Sequence, residues 1–261
     1  MIDADAQLRK VFSHKAFIPF ITVGDPDIET SEKLIRAMAE AGADLIELGI
    51  PFSDPISEGP VIMNADVRAL KAGTTTDDVF DMAMRIRKDL DTPMLVMTYF
   101  NAVYVYGCEK FLQRCEDAGI CALIVSDLPY EEKGDIQEYC TRHGVRLISM
   151  IAPTSEDRIS MIASHAEGFI YVVSSMGVTG TRSDFSSNIG DMVASVRKAT
   201  SVPCAIGFGI STPEQARRMT IIADGAIVGS AIVKIIAQYG RDSVPHVAEF
   251  VRSMRAELDK Q

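Results

Sequence analysis

The chain has 261 residues, 47% of them hydrophobic and 24% charged, with a net charge of −10. That length suits one α/β barrel and that composition supplies a sizeable core. The acidic balance, with Lys and Arg scattered, speaks against a nucleic-acid partner, and no apolar run reaches the roughly 18 residues of a membrane span.

The opening stretch, MIDADAQLRK, is polar and mixed in charge. It lacks the apolar core of a secretory signal, so a cytoplasmic location is the expectation. Short apolar runs then alternate with amphipathic stretches. The pattern predicts strands at 17–22, 45–49, 93–98, 122–125, 146–151, 168–173, 203–207 and 225–228. Each is nearly continuous in apolar character, as parallel strands covered on both faces are. Between them, helical stripes are spaced at three and four residues: Leu34, Ile35, Met38 and Ala39; Val79, Ala83, Ile86 and Leu90; Val247, Phe250, Val251, Met254 and Leu258. Thr212-Pro213-Glu214-Gln215 marks a helix start, with an N-cap, a proline in the first turn and a reciprocal Gln.

Eight βα units with right-handed crossovers predict an α/β fold, a single-domain (β/α)8 TIM barrel over residues 1–261. An open, doubly wound sheet is the alternative, but no GxGxxG fingerprint follows the first strand. The intervals after the second and sixth strands are long. Their extra residues fall in loops on the C-terminal face, where barrels build their chemistry.

Within the second strand, Glu47 interrupts the apolar run Leu45-Ile46-Glu47-Leu48. Its carboxyl points either into the barrel mouth or outward against helices, and partial desolvation raises its pKa in both cases. A Glu tuned in this way can exchange a proton near neutrality. The competing reading is an ion pair with a neighbouring strand. The next loop carries three prolines, which restrict its shape, and the carboxylates Asp54 and Glu58. Glu58 is placed to face Glu47 across a substrate. Asp54 reads better as a turn residue bonding the loop backbone. Glycines follow the last three strands in Gly177-Val178-Thr179-Gly180, Gly207-Phe208-Gly209 and Gly229-Ser230. Backbone N–H groups there, with a helix N-terminus, suit a phosphate. Five cysteines without a CxxC pair read as reduced, mostly buried thiols. The four histidines lack metal-ligand spacing, so no metal site is expected. His143 and His165, near helix ends, read as surface residues.

The motifs ELGIPFSDPISEGP at 47–60, PFITVGDP at 19–26, SDLP at 126–129, GVTG, GFGIS and GSAIVK together resemble the tryptophan synthase alpha subunits. The resemblance runs from about Phe17 to Lys234. ELGIPFSDP is highly specific to that family, whereas other phosphate-binding barrels share the glycine motifs. It implies a lyase of tryptophan biosynthesis that cleaves indole-3-glycerol phosphate to indole and glyceraldehyde 3-phosphate. The implied partner is a beta subunit in an α2β2 heterotetramer. Pyridoxal phosphate is implied only in that partner, with no cofactor in this chain. Carried over residue by residue, Glu47 is the catalytic acid/base, Glu58 the second carboxylate and Tyr171 the tyrosine beside them. Gly180, Phe208, Gly209, Gly229 and Ser230 match the phosphate cradle, and Phe20, Thr22 and Met97 fall around the indole ring. Two departures stand out. The best-known members have Asp where this chain has Glu58, and some carry Arg where Ser175 stands. The segment 177–190, rich in Gly, Ser and Thr, is expected to be mobile without ligand. Another phosphate-binding barrel, such as an indoleglycerol phosphate synthase or a phosphoribosyl isomerase, would call for a strand-end lysine or an Asp–Cys pair; the predicted strands contain no lysine. A binding or activating subunit without chemistry of its own is the reading from another class.

Overall fold

The computed structural model describes residues 3–153, 158–173, 185–207 and 209–260. Its strands are β1 (Ala16–Thr22), β2 (Ile46–Gly49), β3 (Met94–Thr98), β4 (Ile120–Val125), β5 (Arg146–Leu147), β6 (Ser149–Ile151), β7 (Ile170–Val173), β8 (Cys204–Gly207) and β9 (Gly225–Val228). The helices are α1 (Ala4–Val11), α2 (Ile28–Glu40), α3 (Pro60–Lys71), α4 (Thr76–Ile86), α5 (Phe100–Tyr106), α6 (Cys108–Asp117), α7 (Gly134–Arg142), α8 (Ile159–Ser164), α9 (Phe185–Ala199), α10 (Pro213–Ile222), α11 (Ser230–Tyr239) and α12 (Val244–Leu258).

All pairings are parallel, in the order β5-β4-β3-β2-β1-β9-β8-β7-β6. The two ends of this order, β5 and β6, are separated only by Ile148, whose N–H bonds Leu123 O at 2.9 Å. They are two halves of the fifth predicted strand. One half pairs with β4 and the other with β7, so the sheet closes on itself as an eight-stave barrel.

The period of two along each strand sorts side chains into two layers. Ile46 and Leu48 of β2 join the large core between sheet and helices. Leu45, with Ile18 and Phe20 of β1, Leu95 and Met97 of β3, Ala122 and Ile124 of β4, and Tyr171 of β7, fills the lumen. The predicted helical stripes lie on the outer core, with Val79, Ala83, Ile86, Leu34, Ile35 and Met38 fully buried. The box at Thr212 forms as expected: Thr212 accepts from the Gln215 N–H and Gln215 returns the bond.

Three local features differ from the sequence reading. The polar start contains α1, whose Ala4, Leu8 and Val11 are buried and join the lumen cluster. Phe12 lies 5.3 Å from the Phe169 ring, and Arg146 grips Asp5 with bonds of 2.6 and 2.5 Å. The helix therefore plugs the N-terminal end of the barrel and leaves the C-terminal end as the way in. The long interval after β2 holds an extra helix, α3. His143 is buried at the end of α7 rather than exposed, bonded to Glu116 at 2.8 Å and Glu109 at 3.2 Å. Burial opposes its charging, but the two carboxylates outweigh that and raise its pKa. Four of the five free cysteines are buried.

Candidate active site

Glu47 shares the inward parity of Leu45, which puts its carboxyl in the lumen. In register it stands level with Phe20 on β1 and Leu95 on β3. The residue is 1% exposed, and among the described residues neither carboxyl oxygen has a hydrogen-bond partner. An ion pair with a neighbouring strand is thereby excluded. Burial, and next the Glu58 charge, push its pKa up to about 8. A buried acid without a partner is costly to a fold, and sites that exchange protons are where such costs concentrate.

One level nearer the mouth, the register sets Thr22, Gly49 and Met97 side by side. The Phe20 ring occupies the space above Gly49: a Cβ on Gly49 would meet Phe20 Cζ at 2.6 Å. Tyr171 does the same on the far wall, where a Cβ on Gly207 would lie 2.2 Å from its hydroxyl. Two aromatic walls thus exist because their neighbours have no side chains. Burial and the Glu47 charge both raise the Tyr171 pKa well above the ordinary phenol, so its hydroxyl stays protonated beside Glu47. Phe20, Thr22, Met97 and Tyr171 are all buried around this space, and no described group bonds the Thr22 hydroxyl. A Gly207→Ala chain is expected to fold with the Tyr171 ring displaced and to lose at least about tenfold in turnover, as ångström-scale misplacement does. Steady-state rates and near-ultraviolet circular dichroism check this; unchanged rates would show that the ring is not needed in its place.

The loop after β2 brings Glu58 over the mouth. Phe52 stacks on Tyr99 with ring centroids 4.9 Å apart, and the Tyr99 hydroxyl accepts the Ser57 N–H at 3.1 Å. Tyr99, just past β3, therefore holds the loop on both sides. Asp54 accepts from the Ser53 hydroxyl at 2.5 Å, so it is a turn residue bonded to a side chain rather than to backbone. Glu58 is half-buried and meets Asp66 of α3. Burial lifts its pKa, while hydrogen bonds from Asp66 and Tyr99 oppose the rise. Asp66 is 4% exposed and is pushed up to about 9 by burial and by its bond to Glu58. Beyond it Asp25, 1% exposed, is held by Arg68 through two bonds of 2.7 Å. Asp66, Arg68 and Tyr99 escaped the sequence reading. A carboxylate two places before an arginine in a stretch with Val61, Ile62 and Ala65 was the one available signal.

Gly209 has φ +77° and Gly229 caps α11, with Ser230 as the first helical residue. The two glycine-bearing helix starts are not equivalent. At α10 the N–H groups of Ser211 and Thr212 bond the Gln215 side chain at 2.8 and 3.2 Å. At α11 the N-cap is Gly229, with no side-chain cap bond among the described residues, so the N–H groups of its first turn keep their capacity for an anion. Gly180 and Phe208 lie outside the described residues, as does 177–184; 185–190 begin α9. A cavity of about 400 Å³ opens beside the mouth, bordered by Ser57, Ser126, Ser149, Met150 and Val173. Lys133 reaches its wall, donating to the Ser149 hydroxyl at 3.1 Å.

A family model described as tryptophan synthase alpha chain matches residues 6–260. The chain is 47% identical over 255 residues to the tryptophan synthase alpha chain of Lacticaseibacillus casei, covering 97% of this chain and 96% of that one. It belongs to the tryptophan synthase alpha chain family. The family member of Thermoanaerobacter sp. strain X514 is 44% identical over 98% of this chain and 99% of its own length. Among solved structures, the alpha subunit of Legionella pneumophila superposes with a TM-score of 0.89 at 34% identity, covering both chains completely. A chain of the Pyrococcus furiosus tryptophan synthase α2β2 complex superposes at 0.86 with 33% identity, over 93% of this chain and 98% of that one. The family's barrel and its status as an enzyme subunit therefore apply here.

Proposed function

We infer that this chain, acting as one barrel domain, is the lyase that cleaves indole-3-glycerol phosphate to indole and glyceraldehyde 3-phosphate. The observation that carries the reading is Glu47: a buried carboxyl without a partner among the described residues, in a lumen walled by Phe20 and Tyr171, with Glu58 brought over it from the next loop. The reaction is a retro-aldol cleavage, and indole leaves badly as a carbanion. Glu58, as carboxylate, accepts from the indole N–H and stabilises the positive charge that grows on the ring. Glu47, protonated near neutrality, gives its proton to ring C3. The indolenine so formed is an electron sink. Glu47 then takes the proton of the adjacent glycerol hydroxyl as the C–C bond breaks, which restores indole and leaves an aldehyde. The phosphate lies at the start of α11, anchored by N–H groups of Gly229, Ser230 and their neighbours and by Gly209, with Gly180 and Phe208 completing the cradle by family likeness.

The chain works with a beta subunit in an α2β2 assembly, and pyridoxal phosphate belongs to that partner. Ile56, in the loop after β2, and Tyr104 and Val105, on α5 after β3, are 80%, 68% and 76% exposed and supply an apolar docking patch. Among the described residues no helix is long and apolar enough to cross a membrane, and a cytoplasmic location fits. Purified chain should release indole from indole-3-glycerol phosphate, and faster with a beta subunit present. No release under either condition would end the reading.

A further inference from the structure

Three carboxyl groups, Asp25, Asp66 and Glu58, crowd together where β1, β2 and α3 meet, and among the described residues one cation, Arg68, faces them. Arg68 spends both arms of its fork on Asp25 at 2.7 Å. Asp66 Oδ2 and Glu58 Oε2 are buried, and no group of the described protein donates to either. We propose that Asp66 is a positioning residue that holds a proton between its own carboxyl and that of Glu58, so that the pair carries one negative charge and Glu58 is fixed for its partner in the reaction. The proposal rests on the reading of Glu58 given above.

The hydrogen-bond inventory leads to the same arrangement. An ionised carboxylate has acceptors only, so two ionised carboxylates cannot bond one another. Contact between them requires a proton on one. Asp66 is 4% exposed whereas Glu58 is only half-buried, and Asp25 adds a second negative neighbour to Asp66 alone. The proton therefore stays on Asp66 and the charge on Glu58. Tyr99 completes the arrangement from the other side: its oxygen accepts the Ser57 N–H, and its proton goes to Glu58. Glu58 thus receives one bond from a neutral acid and one from a phenol, both on fixed elements, and keeps lone pairs for a ring N–H. The longer reach of Glu58, compared with the Asp of the best-known relatives, is what the two donors restrain.

The groups that face the pair are Glu47 from β2, Tyr99 from the end of β3, Asp25 from the loop after β1 and Arg68 from α3. Glu47 also titrates near neutrality, so the proton is read in Glu47→Gln protein. Its infrared spectrum at neutral pH should contain a protonated-carboxyl C=O band that fades about two units higher and is missing from Glu47→Gln/Asp66→Asn. Absence of that band in Glu47→Gln overturns the proposal, whether or not the variants turn over. In the Glu47 background, Asp66→Ala should lower kcat about tenfold, the loss of one hydrogen bond to a charged group, with KM within about twofold. Asp66→Asn keeps a neutral donor in place and should recover several-fold of that loss. An Asn variant as impaired as the Ala variant also overturns it, because a charge at position 66 would then be what matters. Full turnover by Glu58→Gln would instead remove the catalytic reading of Glu58 and leave the infrared result to stand or fall by itself.

Discussion

Glu47→Gln is expected to lose between about 10² and 10⁴ in kcat, the share of rate that general acid–base groups supply, or roughly 3–5 kcal/mol of barrier. The same substitution should change the pH dependence of stability in the opposite sense. The folded pKa of Glu47, about 8, lies above its ordinary value of 4.5 because burial penalises the anion and Glu58 repels it. The folded state then binds the proton more tightly than the unfolded chain. Glu47 costs nothing on this account below about pH 4.5, and its cost grows as pH rises to about 8, reaching about 5 kcal/mol. Gln does not titrate. Urea midpoints of the two proteins should therefore diverge between about pH 5 and pH 9, with the variant gaining a few kcal/mol on the wild type. Other groups titrate alike in both and cancel in the difference. Parallel profiles would mean that Glu47 is solvated in solution, and normal turnover would remove its chemical role. A residue whose removal stabilises the fold while abolishing the chemistry has been kept at the expense of stability.

Removing Arg68 should give the largest loss of stability. Asp25 is 1% exposed, and the two 2.7 Å bonds from Arg68 are what compensate its charge there. Breaking one side of a buried pair costs about 3–5 kcal/mol because the other charge stays buried. Arg68 is itself about one-third exposed, which places the expected cost of Arg68→Ala near 3 kcal/mol, measured as a fall in the urea midpoint. Asp66 and Glu58 are close by, so the effect should reach the loop after β2 and reduce turnover as well. Asp25→Asn/Arg68→Ala should recover part of the stability, since it removes the stranded charge. A single-variant loss below about 1 kcal/mol, or no recovery in the double variant, would show that solvent reaches Asp25 and that the pair is not the fastening inferred here.

Much of this architecture was legible in the order of residues. Parallel strands covered on both faces are apolar throughout, and most of the intervening 3–4 stripes on α2, α4 and α12 are buried as their spacing required, with Ala39, Leu90 and Phe250 partly buried at the edges. The capping box at Thr212 is local chemistry and needs nothing from the rest of the chain. Glu47 stood out because a carboxylate in an apolar run demands an explanation. The helix α1 did not stand out, because three apolar positions in a polar stretch acquire meaning only against a barrel end that needs a stopper.

The sequence by itself determined the barrel, its eight units, the acid in the second strand and the glycines after the last ones. These depend on periodicity and on backbone freedom, which are properties of short stretches. Tertiary structure alone decided that Glu47 faces the lumen, without a partner among the described residues. A strand that is apolar on both faces hides its own alternation, and closure of the sheet fixes which face is inside. It also decided that Asp25, Glu58, Asp66 and Arg68, which come from three separate segments, share one small volume. Proton affinity there is a matter of distance and dielectric, and neither exists until the chain has folded.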